Sequence, residues 1–317
     1  MRRATTAAAG ATDMSTVRRS PSSWRVLLPV LAASLASGLS VAAPGAQTPS
    51  REPLTVMSFN IRYGTASDGD NHWTLRREFL VDDVREADAD LVGVQEALDA
   101  QIAALLQALP QYGLVGVGRD DGRTRGEYAA ILYRRDRFRV SDAATFWFSE
   151  TPEVVASRSW GNRITRICTW ARFVDRDGQA FWLYNVHLDH ESQPSRERST
   201  ALLAERIAAR RVPTEPAIVT GDFNAGETNP ALARLTTRLR DAPALFVDTF
   251  RVRHPDEPRA GTFNGFTFGQ TGGDKIDYVL VQPGTDVLDA AIIRTSRNDR
   301  YPSDHFPVTA RIILPPR

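Results

Sequence analysis

Cysteine is almost missing from this chain. Cys168 stands alone, which excludes an intrachain disulfide and any zinc site built from several thiolates. Its place in the apolar alternation 164–171 makes it a packed core thiol. Lysine is just as scarce. Lys275 is the only one, and arginine supplies every other cationic side chain, so a lysine-rich surface for gripping DNA is not available. No internal repeat is present, low complexity is confined to the leader, and no linker-like stretch follows residue 53. A repeat array and a second domain are therefore not expected.

The N-terminus carries the pattern of an export signal. Arg18, Arg19 and Arg25 precede an apolar, Ala-rich run over 26–43, and small residues follow around Ala43 to Ala46. Met14 offers an alternative start. The Arg18-Arg19 pair raises a twin-arginine signal, which the residues after it fit poorly. Pro29, Gly38 and several serines favour cleavage over a retained anchor. We read 1–47 as signal peptide and leader, and 48–317 as one catalytic domain. The mature protein is expected to be secreted or held in the cell envelope, without membrane insertion, and monomeric. Residues 1–47 hold five Arg and one Asp, so the remainder carries 34 basic and 37 acidic residues, a net charge of −3. That balance speaks against a general nuclease, which usually presents a basic face.

With 317 residues, 42% of them hydrophobic and 24% charged, the chain suits a large α/β domain. Strand-like and helix-like segments alternate. Strands are expected over 54–61, 91–94, 112–117, 128–133, 138–148, 164–174, 181–188, 217–220, 246–250, 276–281, 290–294 and 306–313, and helices over 73–87, 98–109, 194–211 and from Pro230. The segment Ala217-Ile218-Val219-Thr220-Gly221-Asp222-Phe223-Asn224 is the centre of this pattern. It reads as a buried strand running into a turn that carries a carboxylate and a carboxamide, with Gly221 easing the turn. Polar residues end the other strands too: Asn60, Gln95-Glu96, Glu127, Asn185 with His187, Asp274 with Asp277, and Asp304-His305. Each alone fits an ordinary turn or helix start. Together they call for a shared purpose.

Hydrolysis of a phosphoester with a hard divalent cation fits that purpose. Carboxylates and carboxamides without a thiol cluster suit Mg²⁺, or else Mn²⁺ or Ca²⁺, over Zn²⁺. The run His187-Leu188-Asp189-His190 has a superficial zinc spacing, but strand alternation would turn His190 away from His187 and Asp189. The series Ser58-Phe59-Asn60-Ile61, Gly93-Val94-Gln95-Glu96, Asn185-Val186-His187-Leu188-Asp189-His190, Gly221-Asp222-Phe223-Asn224, Asp274-Lys275-Ile276-Asp277-Tyr278 and Ser303-Asp304-His305-Phe306-Pro307 resembles, in order, the motifs of the endonuclease/exonuclease/phosphatase (DNase I-like) superfamily. The resemblance spans 54–313, and 60–64 and 146–152 resemble secreted bacterial members.

The resemblance implies a four-layer α/β sandwich, two packed mixed β-sheets flanked by helices, with the site at one end. It places Glu96 as principal metal ligand with Asn60 close by and Asp304 completing the metal region. Asp222 would orient or deprotonate the attacking water, helped by Asn224. His305, oriented by Asp277, would touch the phosphate, and His187 would donate to it. The roles of Asp222 and His305 remain exchangeable. Glu127 and Tyr128 would support the phosphate-binding histidine, and Asn185 would buttress the same wall. In the loops, Arg119, Arg123, Arg125, Arg158, Arg163 and Arg166 are available for a second phosphate, with Arg163 and Arg166 foremost as substrate-binding residues. The expected activity is an exported phosphodiesterase or phosphatase acting on a small molecule, a sugar or inositol phosphate, a nucleotide or nucleic acid. An extracellular nuclease of the same fold, a metal-independent two-carboxylate glycosidase and a non-catalytic binding module are the alternatives.

Overall fold

Apolar residues at every second position of 54–60 face two different layers, and this segment is strand β1 (Leu54–Asn60). The computed structural model describes residues 52–237 and 244–316; the leader expected over 1–47 lies outside them. Among the described residues, the further strands are β2 (Leu91–Ala97), β3 (Tyr112–Val115), β4 (Tyr128–Arg134), β5 (Phe138–Trp147), β6 (Ile167–Asp175), β7 (Ala180–His187), β8 (Ala217–Asp222), β9 (Val247–Asp248), β10 (Asp277–Val281), β11 (Asp286–Ile292) and β12 (Val308–Ile313). The helices are α1 (Trp73–Glu86), α2 (Asp99–Ala108), α3 (Gln193–Ala208), α4 (Pro230–Thr236) and α5 (Thr249–Arg253). No helix among the described residues is long and apolar enough to cross a membrane.

The strands form two mixed six-stranded sheets, ordered β11-β12-β1-β2-β4-β3 and β5-β6-β7-β8-β10-β9. Leu54, Val56 and Leu91 of the first sheet meet Phe181, Leu183, Ile218 and Val279 of the second in the central core. The other faces are covered by helices. Met57 and Phe59 pack with Leu80 and Val84 of α1 and Leu105 of α2. Trp182, Tyr184 and Val219 pack with Leu203 and Ile207 of α3 and Leu232 of α4. Four layers result, helix–sheet–sheet–helix, as the resemblance implied.

Local chemistry fixes the helix starts. The Ser192 side chain accepts from Ser195 N, and that of Asn229 from Ala231 N, with Pro194 and Pro230 in the first turns. The strand expected over 246–250 is cut short for the same reason. Asp248 accepts from Phe250 N at 3.0 Å and caps α5, so only Val247–Asp248 stays extended.

The inner faces of the central strands change character in step. Val56 gives way to Ser58 and Asn60, Leu91 to Gly93 and Gln95, Leu183 to Asn185 and His187, and Ile218 to Thr220 and Asp222. Pairing holds these steps level: Ser58 faces Gly93, Asn185 faces Thr220, His187 faces Asp222, and Asp222 faces Asp277. An oily centre thus grades into a polar layer and then into ionisable groups at one end of the sandwich. Asn185 joins the sheets across this layer. Its Nδ2 donates to Val94 O at 2.9 Å and Ala130 O at 2.8 Å, while Oδ1 accepts from Gln95 at 2.7 Å and Thr220 at 3.0 Å. The approach is close enough to demand Gly93, where a Cβ would stand 2.2 Å from Thr220 Oγ1. Gly221 has a similar reason. It lies inside β8, not in the turn after it, and a Cβ there would strike the Val186 carbonyl oxygen at 2.4 Å.

Candidate active site

At the polar end of the sandwich, Asn60 is fully buried and links the two sheets. Its Nδ2 donates to Glu96 Oε1 at 3.1 Å and to Asp222 Oδ2 at 2.9 Å, and its Oδ1 accepts from Arg62 N at 3.0 Å. Regular alternation would send Glu96 away from the cleft, because Gln95 points between the sheets. A β-bulge between Gln95 and Ala97, with Glu96 at φ 63°, turns it back. Arg62 (φ 54°) and Asn224 (φ 47°) share this left-handed backbone. Such residues each cost on the order of 1 kcal/mol and gather where geometry serves a site.

Asp222 has two jobs. Oδ1 accepts from Asn224 N at 2.8 Å, the ordinary turn expected of this sequence, while Oδ2 faces Asn60, with His187 Nε2 at 3.7 Å and His305 Nε2 at 3.8 Å. Burial and the neighbouring Asp277 raise its pKa to about 7, against the pull of His305 and Asn60. His305 Nδ1 lies 2.9 Å from Asp277 Oδ2. Burial opposes its charge, but Asp277 and Asp222 outweigh burial and hold the imidazolium well above its usual range.

His187 behaves oppositely. Burial, Arg166 and Arg119 push it well below its usual range, so the ring is neutral. Arg166 Nη1 is 2.8 Å from His187 Nε2 and its Nη2 is 2.7 Å from His190 Nδ1. A guanidinium only donates, so both nitrogens are acceptors and the His187 proton sits on Nδ1. Strand alternation does not turn His190 away, because β7 ends at His187 and both rings converge on one arginine. Glu127 takes both Arg119 nitrogens at 2.7 Å, with Oε2 3.9 Å from His187 Nδ1.

These groups line a cleft of about 640 Å³ together with Arg62, Tyr63, Asp68, Ile164, Phe263, Phe266 and Ile276. Of the expected site residues, Glu96, Glu127, Arg166, His187, Asp222, Asn224, Asp304 and His305 line it, while Asn60 and Asp277 stand directly behind. Three stand apart from it. The Tyr128 hydroxyl sits between two acceptors, Asp99 Oδ1 at 2.9 Å and Arg123 O at 3.0 Å, Asn185 is spent joining the sheets, and the Arg163 side chain is 82% exposed beside Glu191. Arg62 gained no role from sequence, yet it binds Asp68 through two bonds of 3.0 Å and lies 3.7 Å from Asp304. Its spacing, two after Asn60, was the available signal. Arg76, which fastens Ile61 O, Arg62 O and Pro302 O around the site, had none.

Two donor sets could hold a cation. Asp222, Asp277 and His305 have ligand atoms within 4.8 Å of one another; Asp277 Oδ2 and His305 Nδ1 are taken up with each other, which leaves Asp277 Oδ1, buried without a partner, and His305 Nε2. Glu96 and Asp304 offer only oxygens. Burial, then Glu96, raises the Asp304 pKa despite His305 and Arg62. An all-oxygen pair of carboxylates suits a hard divalent cation.

Comparisons agree with this geometry. The Endonuclease/Exonuclease/phosphatase family model matches residues 57–305. An endonuclease/exonuclease/phosphatase family protein from Bacteroides thetaiotaomicron is 32% identical, with 84% of this chain and 100% of that one covered and a TM-score of 0.76. A mannosyl-6-phosphatase from Bacteroides thetaiotaomicron VPI-5482 is 33% identical over 82% of this chain and 99% of its own, with a TM-score of 0.74. The human nocturnin catalytic domain, 17% identical over 83% and 93% with a TM-score of 0.66, shares the fold. Comparison with curated protein sequences returns no match.

Proposed function

Because this chain belongs to the endonuclease/exonuclease/phosphatase family, whose members hydrolyse phosphoesters, we propose that it is an exported, divalent-metal-dependent phosphoester hydrolase. The observation that carries this reading is the meeting of Asn60, Asp222, Asp277 and His305 beside Glu96 and Asp304 in one cleft. The relative titled a mannosyl-6-phosphatase makes a phosphorylated sugar the first substrate to test.

In this reading Glu96 and Asp304 hold the cation, and Asn60 fixes Glu96. Mg²⁺, or Mn²⁺ or Ca²⁺, bound there would polarise a phosphoryl oxygen and offset its charge. Asp222 orients the attacking water and takes its proton, a task suited to a carboxylate titrating near neutrality. Asn224, whose Nδ2 donates to Leu188 O at 3.1 Å, keeps that turn in place. His305 presents its Nε2 proton to the phosphoryl oxygens while Asp277 holds the other side of the ring. His187 is an acceptor at Nε2, so donation to a phosphate would have to leave from Nδ1. Its contribution is to shape the wall beside Asp222.

The test is an assay of the purified protein against sugar phosphates, other mono- and bis-esters and DNA. Each is run with Mg²⁺, Mn²⁺ or Ca²⁺ and with EDTA, beside Glu96→Ala and His305→Ala. Metal-dependent turnover lost in both variants supports the reading. Turnover surviving EDTA and both substitutions would overturn it, because neither the cation nor this cleft would then carry the reaction.

A further inference from the structure

The guanidinium groups lining the cleft all face carboxylates. Arg62 is held by Asp68 through two bonds of 3.0 Å, and Arg119 by Glu127 through two of 2.7 Å. Arg166 lies 3.6 Å from Asp189 and spends its terminal nitrogens on His187 and His190. A second phosphate on the substrate would meet guanidinium groups whose charge Asp68, Glu127 and Asp189 already offset, and would have to compete with those largely buried carboxylates. The cationic wall of the cleft is therefore already neutralised from within.

The cleft also carries apolar side chains. Phe263 is 50% exposed, unusual for a phenylalanine beside ionisable groups, and its ring centroid is 5.1 Å from that of His305. Ile164, Phe266 and Ile276 line the same cleft. Phe263 is not a loose loop residue. Its backbone bridges to His305, Asn264 N and Gly265 N both donate to Asp304 O, and Phe306 N donates to Thr262 O at 2.7 Å. The backbone of Phe263 is thus tied to the segment that carries Asp304 and His305, and its ring packs edge-on against the His305 ring. A platform already in place loses little freedom when a ligand settles on it.

We propose that Phe263 is the leaving-group platform of this site, and that the group it receives is an uncharged sugar ring carrying a single phosphate. This deepens the phosphoester-hydrolase reading and rests on it. The ring C–H bonds of a pyranose carry partial positive charge and suit the negative face of an aromatic ring. Its hydroxyls can reach the polar groups around the cleft, the usual division of labour in a small-molecule site.

The experiment compares kcat and KM of wild type, Phe263→Ala, Phe263→Leu and Phe263→Trp, with Mg²⁺ present. The substrates are a hexose 6-phosphate, the corresponding hexose bisphosphate, the ringless glycerol 2-phosphate and, for wild type, a phosphate bis-ester. Phe263→Ala and Phe263→Leu should lose about tenfold in kcat/KM on the hexose phosphate, mostly through KM, a loss of about 1.4 kcal/mol. Phe263→Trp should keep the preference, and glycerol phosphate should change by less than about threefold. The bisphosphate should be no better a substrate than the monophosphate. Equal losses on both monoesters would overturn the platform, because Phe263 would then act only by holding His305. A bisphosphate preferred about tenfold would overturn the single-phosphate claim. Wild type that cleaves bis-esters but no sugar phosphate would overturn the platform while leaving the hydrolase reading intact. Wild type inert on every phosphoester would overturn both.

Discussion

Arg166 holds His187 by donating Nη1 to the ring's Nε2 at 2.8 Å, inside the cleft wall. The bond sets which nitrogen of the ring carries the proton. In Arg166→Ala that constraint disappears, along with the nearby charge that helps keep the imidazole neutral. The His187 pKa should rise, and its tautomer should no longer be fixed at Nδ1–H. Nitrogen chemical shifts of the histidine rings read both. A His187 ring unchanged in the variant would contradict the assignment.

Asp277 and His305 form the second such pair. Asp277→Asn keeps the shape but removes the charge that favours the His305 imidazolium. We expect kcat to fall about 10²–10⁴-fold, the range for positioned proton-handling groups. The midpoint of His305 titration should fall as well. Near wild-type kcat would rule out a role for this pair.

Metal binding can be read without catalysis. Saturating Mg²⁺ should raise the thermal midpoint of wild type by mass action on the folded state. Glu96→Ala and Asp304→Ala should show no such rise. A rise that persists in both but vanishes in Asp277→Ala would move the cation to the Asp222–Asp277–His305 group.

Asp83 gives a stability test away from the cleft. It lies on α1 at 2% exposure, and burial, then Glu86, raises its pKa to about 7 against the opposing Arg297. The unfolded carboxylate titrates near 3.8. Between those values the folded state binds the extra proton, so this group's contribution to stability declines as pH rises from about 4 to 7. Between pH 5 and pH 8, Asp83→Asn should gain on wild type by about 1–3 kcal/mol. Parallel melting curves at the two pH values would refute it.

Gly93→Ala tests the polar layer between the sheets. The added methyl would press on Thr220 Oγ1 and on Asn185 Oδ1, 2.5 Å away. Destabilisation of at least about 1–3 kcal/mol is expected, with Thr220→Ala relieving part of it. An unchanged denaturation midpoint would mean the sheets separate more easily than this packing allows.

Much of the fold was legible because burial imposes period two on strands, and polar residues stood out where that pattern stopped. Asn60, His187, Asp222 and Asp277 were readable on those grounds. Glu96 also stood out as a polar strand end, but its role came from the family motif, because alternation assigns it to the wrong face and the bulge at Gln95/Ala97 corrects this. The α5 helix was missed because Asp248 chooses between strand and cap by a single hydrogen bond. Phe263 and the Arg62–Asp68 pair lie on loops, where no periodicity constrains a side chain. The pairing of Arg119 and Arg166 with cleft carboxylates depends on strands far apart in sequence, so arginines that seemed free for a ligand were already occupied.

Lys275 is wholly enclosed, its ammonium 3.0 Å from Asp248 Oδ2, 3.0 Å from Asp277 O and 3.5 Å from the centre of the Tyr278 ring. It is also the chain's one lysine. Among the described residues the surface therefore offers acylating reagents no lysine amine. A dye, a polymer or a solid support aimed at lysine would find none to react with there, and would leave the cleft chemically untouched.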